Sequence, residues 1–279
     1  MGGGPQVAIL SGGRLHLQHG PIDLIVKAWG EERDACYRQA ARRFETVLAG
    51  LVDELPALRR PAGAADAVSD PVALRMVGAA KPFGDVFVTP MAAVAGAVAD
   101  EVLGAAVAGR ACPKAFANNG GDVAFHLSGG EETAFAGPTG RLRVRSGDPV
   151  RGVATSGWCG RSHSFGVADA VTVAASSAAV ADVAATLIAN AVDLPGHPAI
   201  TRAPANALSP DSDLGERLVT TDVGRLSPDE VAEALAAGRA VAKKFVRRGL
   251  IRQAALLLAG ETVVVADRNM VPEGVLDHA

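Results

Sequence analysis

A glycine-rich segment near the middle of the chain has the residue types of a ligand-binding loop: Asn118, Asn119, Gly120, Gly121 and Asp122. Two successive glycines permit positive φ and let the backbone approach a ligand, and their amides can point toward an anion. The flanking Asn and Asp side chains add directional polar contacts. Taken alone, the segment is more typical of a hairpin turn, because Asn-Gly and Gly-Gly pairs favour such turns.

A second segment of small residues comes later in the chain and consists of Ala154, Thr155, Ser156 and Gly157. Hydroxyl groups and backbone amides suit a phosphate or a ribose, although an ordinary Ser/Thr turn has the same composition. If the two segments work together, they build a site for a phosphorylated small molecule. We therefore predict such a site.

Asp182 and Thr186 lie four residues apart in an alanine-rich segment, so they project from one face of the predicted helix. A carboxylate and a hydroxyl are hard oxygen ligands of the kind that magnesium prefers. A solvated polar stripe is the alternative, but the neighbouring residues are apolar: Ala181, Val183, Ala184, Ala185, Leu187 and Ile188. We predict a magnesium site at Asp182 and Thr186, with Asp182 also taking part in the chemistry.

His163 follows the second segment closely, in Arg161-Ser162-His163-Ser164. A histidine there can carry a proton or contact a ligand phosphate, so it is the second candidate catalytic residue. A histidine that only caps a loop is the alternative.

Glycine, proline and hydrophobic periodicity divide the rest of the chain into strands and helices. Helices are predicted over Glu31 to Leu55, from Pro90 with Thr89 as its cap, over Ala178 to Val192, and from the Ser227 capping box to about Arg247. The predicted strands are Gln6 to Leu10, Arg14 to Gln18, Ile22 to Ala28, Val123 to Leu127, Arg141 to Arg145, Val153 to Gly157, Ala170 to Ala174, Ala254 to Leu258 and Thr262 to Ala266.

This order of elements predicts an α+β fold with mixed or antiparallel sheets and packed alanine-rich helices. Residues 56 to 72 have little pattern and are predicted to form a loop or a connection between lobes. We expect one domain over residues 1 to 279, or two interlocked lobes joined near 56 to 72.

The composition excludes several classes of protein. With 27 basic and 30 acidic residues the net charge is −3, and no basic run suggests a nucleic-acid partner. The three cysteines have neither disulfide nor zinc spacing, which favours a reducing cytoplasm. The apolar run from Met91 to Ala108 contains Asp100 and Glu101, so we predict a buried helix and no membrane span. Apolar helices of this kind also allow a homodimer.

Taken together in this order, the motifs resemble the ApbE family of FAD:protein FMN transferases, and more closely an uncharacterised group of ApbE relatives. The resemblance covers most of residues 85 to 195. The Met91 to Asp100 helix looks like the glycine-containing helix of the family, and Asn118 to Val123 looks like its Asn-x-Gly-Gly-Asp-Ile segment. Ala154 to Gly157 looks like its Ala-Thr-Ser-Gly turn.

The resemblance implies an ApbE-like fold and an activity. Asp182 and Thr186 fall on the Ala-Asp-Ala-x-x-Thr helix of the family, whose acid and hydroxyl bind the magnesium that activates the FAD pyrophosphate. A hydroxyl on a target protein then attacks, which leaves FMN on that protein and releases AMP. Two positions depart from the family pattern: Ala95 stands about where the family has a lysine, and His163 to Gly166 replaces a His-x-x-Asp-Pro segment.

Three functions follow as hypotheses. The first is a soluble transferase that binds a flavin or pterin type of phosphorylated cofactor, such as FAD, and uses magnesium for group transfer. The second is a non-catalytic cofactor-binding protein. The third is an enzyme of one-carbon (methanopterin-type) or flavin cofactor biosynthesis that acts on a small molecule.

Overall fold

The structure is a computed structural model of the chain, and it describes residues 4–64 and 68–267. The seven helices of this described part are α1 (Arg33–Phe44), α2 (Val47–Leu58), α3 (Pro71–Ala80), α4 (Val94–Val107), α5 (Ala178–Ala191), α6 (Ala205–Leu208) and α7 (Pro228–Arg247). The strands are β1 (Gln6–Leu10), β2 (Arg14–His19), β3 (Ile22–Ala28), β4 (Lys114–Asn119), β5 (Asp122–Leu127), β6 (Glu132–Gly137), β7 (Gly140–Arg145), β8 (Gly152–Ser156), β9 (Ala170–Ala175), β10 (Ile200–Pro204), β11 (Leu218–Val223), β12 (Gln253–Leu258) and β13 (Glu261–Ala266).

The chain forms two compact units that alternate along the sequence. The first comprises Met1–Thr133, Val144–Ala154 and Ala175–Val183. The second comprises Ala134–Arg143, Thr155–Ala174 and Ala184–Ala279. The predicted α+β class with antiparallel sheets is confirmed by the arrangement of strands and helices in each unit. The number of independently folding domains stays a prediction.

In the first unit, strands β1 to β5 form an antiparallel meander in which each strand pairs with the next, and β8 pairs with β5. Alternate residues are buried on one face, as shown by the cross-strand pair of Leu17 and Leu24, neither of which is exposed. Helix α4 packs against β4, β5 and α1 on that face. The helices thereby cover the side of the sheet that carries the alternating aliphatic residues.

In the second unit, β12 pairs antiparallel with both β9 and β13. Helix α7 packs on β12 and β13, and β10 with β11 forms a separate two-stranded sheet. The capping box at Ser227 and Glu230 is present, so the predicted start of α7 is confirmed.

Helix α4 belongs to a segment, Pro90–Val107, that is long and apolar enough to cross a membrane by length and composition alone. Half of that segment is buried inside the protein, and the helix packs against the strands and helices of the first unit. The core helices of water-soluble domains share this composition. The location of the protein in the cell stays a prediction.

The predicted single helix over Glu31 to Leu55 is wrong, because the chain forms α1 and α2 with a break at Glu45 and Thr46. The Thr46 hydroxyl donates a hydrogen bond to the backbone carbonyl oxygen of Arg43 at 3.4 Å. Such local side-chain bonds offer the backbone an alternative to a continuous helix.

The other helix predictions need two corrections. Pro56 to Leu58 continue α2, and α3 begins at Pro71, so parts of the predicted loop at 56 to 72 are helical; residues 65 to 67 lie outside the described residues. The Asp70 carboxylate caps α3 by accepting from the amide of Val72 at 2.8 Å. Pro90–Ala93 is a 3-10 turn, and Thr89 makes no side-chain capping bond to it.

Candidate functional site

The glycine-rich segment is the turn of the hairpin between β4 and β5. Asn119 ends β4 and pairs with Asp122, which begins β5. Gly120 and Gly121 form the two-residue loop with φ of 64° and 113°. Positive φ at both positions is what the favoured type of two-residue hairpin turn requires, and glycine adopts it without a steric cost. The hairpin alternative is therefore correct as local structure.

The turn is stabilised by one of its own side chains. Oδ1 of Asn118 accepts a hydrogen bond from the backbone amide of Gly121 at 2.9 Å. That amide is therefore satisfied within the turn. The contribution of the segment to ligand binding stays a prediction.

Two motifs that are remote in sequence meet at the start of helix α4. Nδ2 of Asn119 donates a hydrogen bond to the carbonyl oxygen of Ala95 at 3.2 Å. The amide of Gly96 donates to Oδ2 of Asp182, on α5, at 3.1 Å. The glycine-rich turn and the predicted metal-ligand helix thus bind consecutive residues of α4, and all four residues belong to the first unit.

Acidic side chains gather at this point. Burial raises the pKa of Asp182 well above its ordinary value, and the nearby charge of Asp122 raises it further. The amides of Gly96 and Ala95 partly oppose this effect, because they stabilise the ionised carboxylate. Asp122 is itself buried, with 8% of its surface exposed. Two carboxylates in a poorly hydrated place repel each other, and a bound cation relieves such repulsion.

The start of helix α5 is held by residues whose role the sequence did not reveal. Oδ1 and Oδ2 of Asp100, on α4, accept from the amides of Ala178 at 3.0 Å and Ala179 at 2.9 Å. A Cβ at Gly96 or at Gly152 would overlap the backbone around Ala178. Glycine at both positions therefore lets α4 and β8 come close to α5. The signal in the sequence was Asp100, an acid within an apolar run.

The residues present fit a hard cation in chemical type. Within residues 4–64 and 68–267, no three His, Cys, Asp or Glu side chains form a group that could hold a metal ion. Asp122 and Asp182 are nevertheless carboxylate oxygen donors, which magnesium prefers, and it completes its shell with water and ligand phosphates. Thr186 is half-buried on the same helix as Asp182. The magnesium site stays a prediction.

The Ala-Thr-Ser-Gly segment forms the end of β8 and the residues after it, and from Thr155 onward it belongs to the second unit. The exposed Thr155 shares a hydrogen bond with Thr172 between their hydroxyls at 2.9 Å. A Cβ at Gly157 would overlap the carbonyl oxygen of Asp169. Packing therefore explains this glycine, and of the two hydroxyl residues of the segment Thr155 is exposed and Ser156 is half-buried.

His163 is half-buried in the second unit, and its Nε2 lies 3.1 Å from the hydroxyl oxygen of Ser209. The next two residues, Ser164 and Phe165, are held by hydrogen bonds to Asn190. The Ser164 hydroxyl donates to Oδ1 of Asn190 at 3.1 Å, and that oxygen also accepts from the amide of Phe165 at 2.9 Å. The segment is thereby positioned by α5. A catalytic role for His163 stays a prediction.

A family model described as "AbpE bacteria" matches residues 7–264. The chain belongs to this family. The match extends well beyond residues 85 to 195, where the motifs lie, and it confirms the resemblance to ApbE relatives. The antiparallel sheets and packed helices of the chain agree with the fold that this resemblance implies.

Relatives among curated proteins carry the name UPF0280. The protein of Methanopyrus kandleri is 42% identical over 125 residues, which cover 43% of this chain and 48% of the relative. The protein of Methanosphaerula palustris is 45% identical over 129 residues, which cover 43% of this chain and 52% of the relative. The chain thus spans about half the length of the curated relatives it matches.

Two solved structures are similar at low sequence identity. The flavinyl transferase ApbE of Pseudomonas stutzeri, in its apo form, aligns with a TM-score of 0.42 at 13% identity, covering 95% of this chain and 96% of that chain. A point mutant of the flavin transferase ApbE of Vibrio cholerae aligns with a TM-score of 0.34 at 14% identity, covering 86% of this chain and 76% of that chain.

Proposed function

We propose that this member of the family is a magnesium-assisted group-transfer enzyme that binds a phosphorylated, nucleotide-like cofactor of the flavin or pterin type. One observation supports the proposal above the others. Asn119 and Asp182, from two separate family motifs, bind consecutive residues of α4 and so bring the motifs to one place.

In this proposal Asp182 and Asp122, both in the first unit, hold the cation. A bound magnesium ion would offset the negative charge of the cofactor phosphates. The backbone amides of Ala95 and Gly96 orient the Asp182 carboxylate. Because these donors are backbone groups, the position of the carboxylate does not depend on the rotamer of any side chain on α4. Orientation by backbone groups is worth more where water is scarce, and desolvation is the main cause of the raised pKa of Asp182.

A second candidate, a cofactor-binding protein without transferase activity, is favoured by one position. Ala95 stands about where the resemblance places a lysine, so α4 offers no ammonium group to a phosphate there. The backbone of Ala95 instead forms hydrogen bonds with the side chains of Asn119 and Asp182. If this candidate is correct, the protein binds the cofactor but forms no product from it.

Calorimetry tests the binding part of the proposal. FAD and FMN are titrated into the full chain with and without magnesium, using the wild type and Asp182→Asn. We expect magnesium to strengthen binding to the wild type by about ten-fold or more and to have little effect on the variant. Asp53→Asn is the matched control, since it removes one negative charge from an exposed position on α2. Equal magnesium dependence in all three proteins contradicts the metal site.

Turnover separates the two candidates. The chain is incubated with FAD, magnesium and a protein that carries the acceptor threonine of ApbE substrates, and the products are separated on a denaturing gel. A fluorescent flavin band that requires Asp182 supports transfer to protein. Magnesium-dependent binding with neither this band nor release of AMP supports the non-catalytic candidate.

A further inference from the structure

A small basic pocket lies in the first unit on the outer side of α1. Its volume is about 150 Å³, and it is lined by Ala35, Arg38, Gln39, Arg42 and Arg110. Four of these residues form one stripe of α1, with the spacing of neighbouring turns. The fifth comes from the loop after α4. None of them takes part in the proposed cofactor site.

The base of this arginine pocket is rigid because one side chain connects it to the end of α4. Nε2 of Gln39 donates to the carbonyl oxygens of Ala105 at 2.8 Å, Ala106 at 3.2 Å and Ala108 at 3.1 Å. Those carbonyls lie at the end of the helix and need such donors. The side-chain carbonyl oxygen of Gln39 takes no part in these contacts, so it can accept from a second partner.

That second partner is Arg110. Its Nε donates to Oε1 of Gln39, and its Nη1 lies 3.4 Å from Oε1 of Glu32. Glu32 is in turn held by the backbone amide of Ala111. The guanidinium of Arg110 is therefore oriented before any ligand arrives, and preorganised groups lose less entropy on binding.

The other two arginines of the pocket, Arg38 and Arg42, lie on α1. Both are exposed, and they are four residues apart on α1, where like charges repel. Neither guanidinium makes an ion pair or a hydrogen bond with another residue within 4–64 or 68–267. The pocket therefore presents two positive charges with no internal counter-charge beside a third that is fixed in place.

We propose that the arginine pocket binds a phosphate-type oxyanion, either inorganic phosphate or the phosphate group of a small phosphomonoester. Guanidinium groups match phosphate oxygens with paired hydrogen bonds. The volume of about 150 Å³ accommodates a phosphate group. The inference does not rest on the proposed function, since it uses other residues.

Calorimetry on the full chain tests the proposal with inorganic phosphate, glycerol phosphate and chloride at constant ionic strength. We expect phosphate-dependent binding to the wild type and a loss of about ten-fold or more in the Arg38→Gln/Arg42→Gln double variant. Stronger binding of glycerol phosphate than of inorganic phosphate indicates a phosphomonoester as the ligand. The reverse order indicates the free ion.

Arg239→Gln/Lys243→Gln is the matched control, because it removes two exposed basic residues with the same spacing from α7. It should change phosphate affinity by less than about two-fold. Circular dichroism checks that each variant is folded. Arg38→Lys is a second test variant, which keeps the positive charge but loses the paired hydrogen-bond geometry of the guanidinium. It should bind phosphate more weakly than the wild type does.

Three results would overturn the proposal: no phosphate-dependent heat with the wild type, equal affinity in the Arg38/Arg42 double variant, or binding of an acidic peptide without binding of phosphate. Asp182→Asn should leave phosphate affinity at the arginine pocket unchanged. Failure of this proposal and failure of the magnesium site are therefore distinguishable.

Discussion

The backbone amide of Gly96 donates a hydrogen bond to the carboxylate of Asp182 at 3.1 Å, which joins α4 to α5 beside the glycine-rich turn. The glycine is necessary for this contact for a steric reason. A Cβ at position 96 would overlap the carbonyl group of Ala178, which is backbone and cannot rotate away. The distance between the two helices at this point is therefore set by the absence of a side chain.

The first prediction concerns that close approach. Gly96→Ala should lower the free energy of unfolding by about 1–3 kcal/mol, because the added methyl group forces the helices apart. Urea unfolding followed by circular dichroism measures it. Gly78→Ala on α3 is the control: a Cβ there meets nothing within 4 Å, and the change should be neutral or stabilise by up to about 1 kcal/mol. Equal effects of the two changes would contradict the steric argument.

The second prediction concerns the carboxylate that holds the start of α5. Asp100→Asn should destabilise the protein by about 1–3 kcal/mol, because an amide has one acceptor oxygen for the two backbone amides of Ala178 and Ala179. Thermal and urea unfolding measure the change. Asp53→Asn at an exposed position should cost less than about 0.5 kcal/mol. A loss as small as this for Asp100→Asn would show that the capping bonds are not needed.

The third prediction concerns a half-buried ion network between α1, α3 and α4. Oε1 of Glu101 lies 2.8 Å from Nε of Arg43, and Oε2 lies 2.7 Å from Nε of Arg75. Burial alone would raise the pKa of Glu101, but the hydrogen bonds from both arginines lower it. Glu101→Gln should destabilise the protein by about 1–3 kcal/mol, because it leaves Arg43, only 18% exposed, without its closest acid.

Urea unfolding checks that prediction against an exposed pair. Arg33 and Asp34 form an ion pair with side chains 50% and 69% exposed. Asp34→Asn should change stability by less than about 0.5 kcal/mol, because solvent screens such pairs. If both changes cost the same, burial is not the reason for the strength of the Glu101 network.

The fourth prediction concerns pH and the start of α7. The amide of Ser227 and the side chain of His197 lower the pKa of Glu230 from 4.5 to about 2. A depressed acid pKa stabilises the folded state above pH 4.5, and this contribution is lost as pH falls toward 2. The melting temperature should therefore fall across this window in the wild type and fall less in Glu230→Gln.

The control for the pH series is Glu233→Gln, at an exposed position on the same helix. Its melting temperature should follow that of the wild type across the window. An unchanged pH profile in Glu230→Gln would show that the bonds to Ser227 and His197 do not stabilise the helix.

Much of the architecture follows from the sequence by itself. Strands β1 to β3, helix α5 and the Ser227 capping box lie close to the bounds that the sequence predicts. These features depend on periodicity, on glycine and proline, and on contacts between residues a few positions apart, which a single sequence displays directly. The motif order also sufficed to predict the family, which the match over residues 7–264 confirms.

Only the tertiary structure decided which residues meet. It joined Asn119 and Asp182 at α4, assigned Asp100 to the start of α5, and brought Arg110 to the arginines of α1. Contacts of this kind depend on the packing of elements far apart in the chain, and several packings are compatible with the same local periodicity. The sequence alone therefore contained the residues of the candidate site but not their partners.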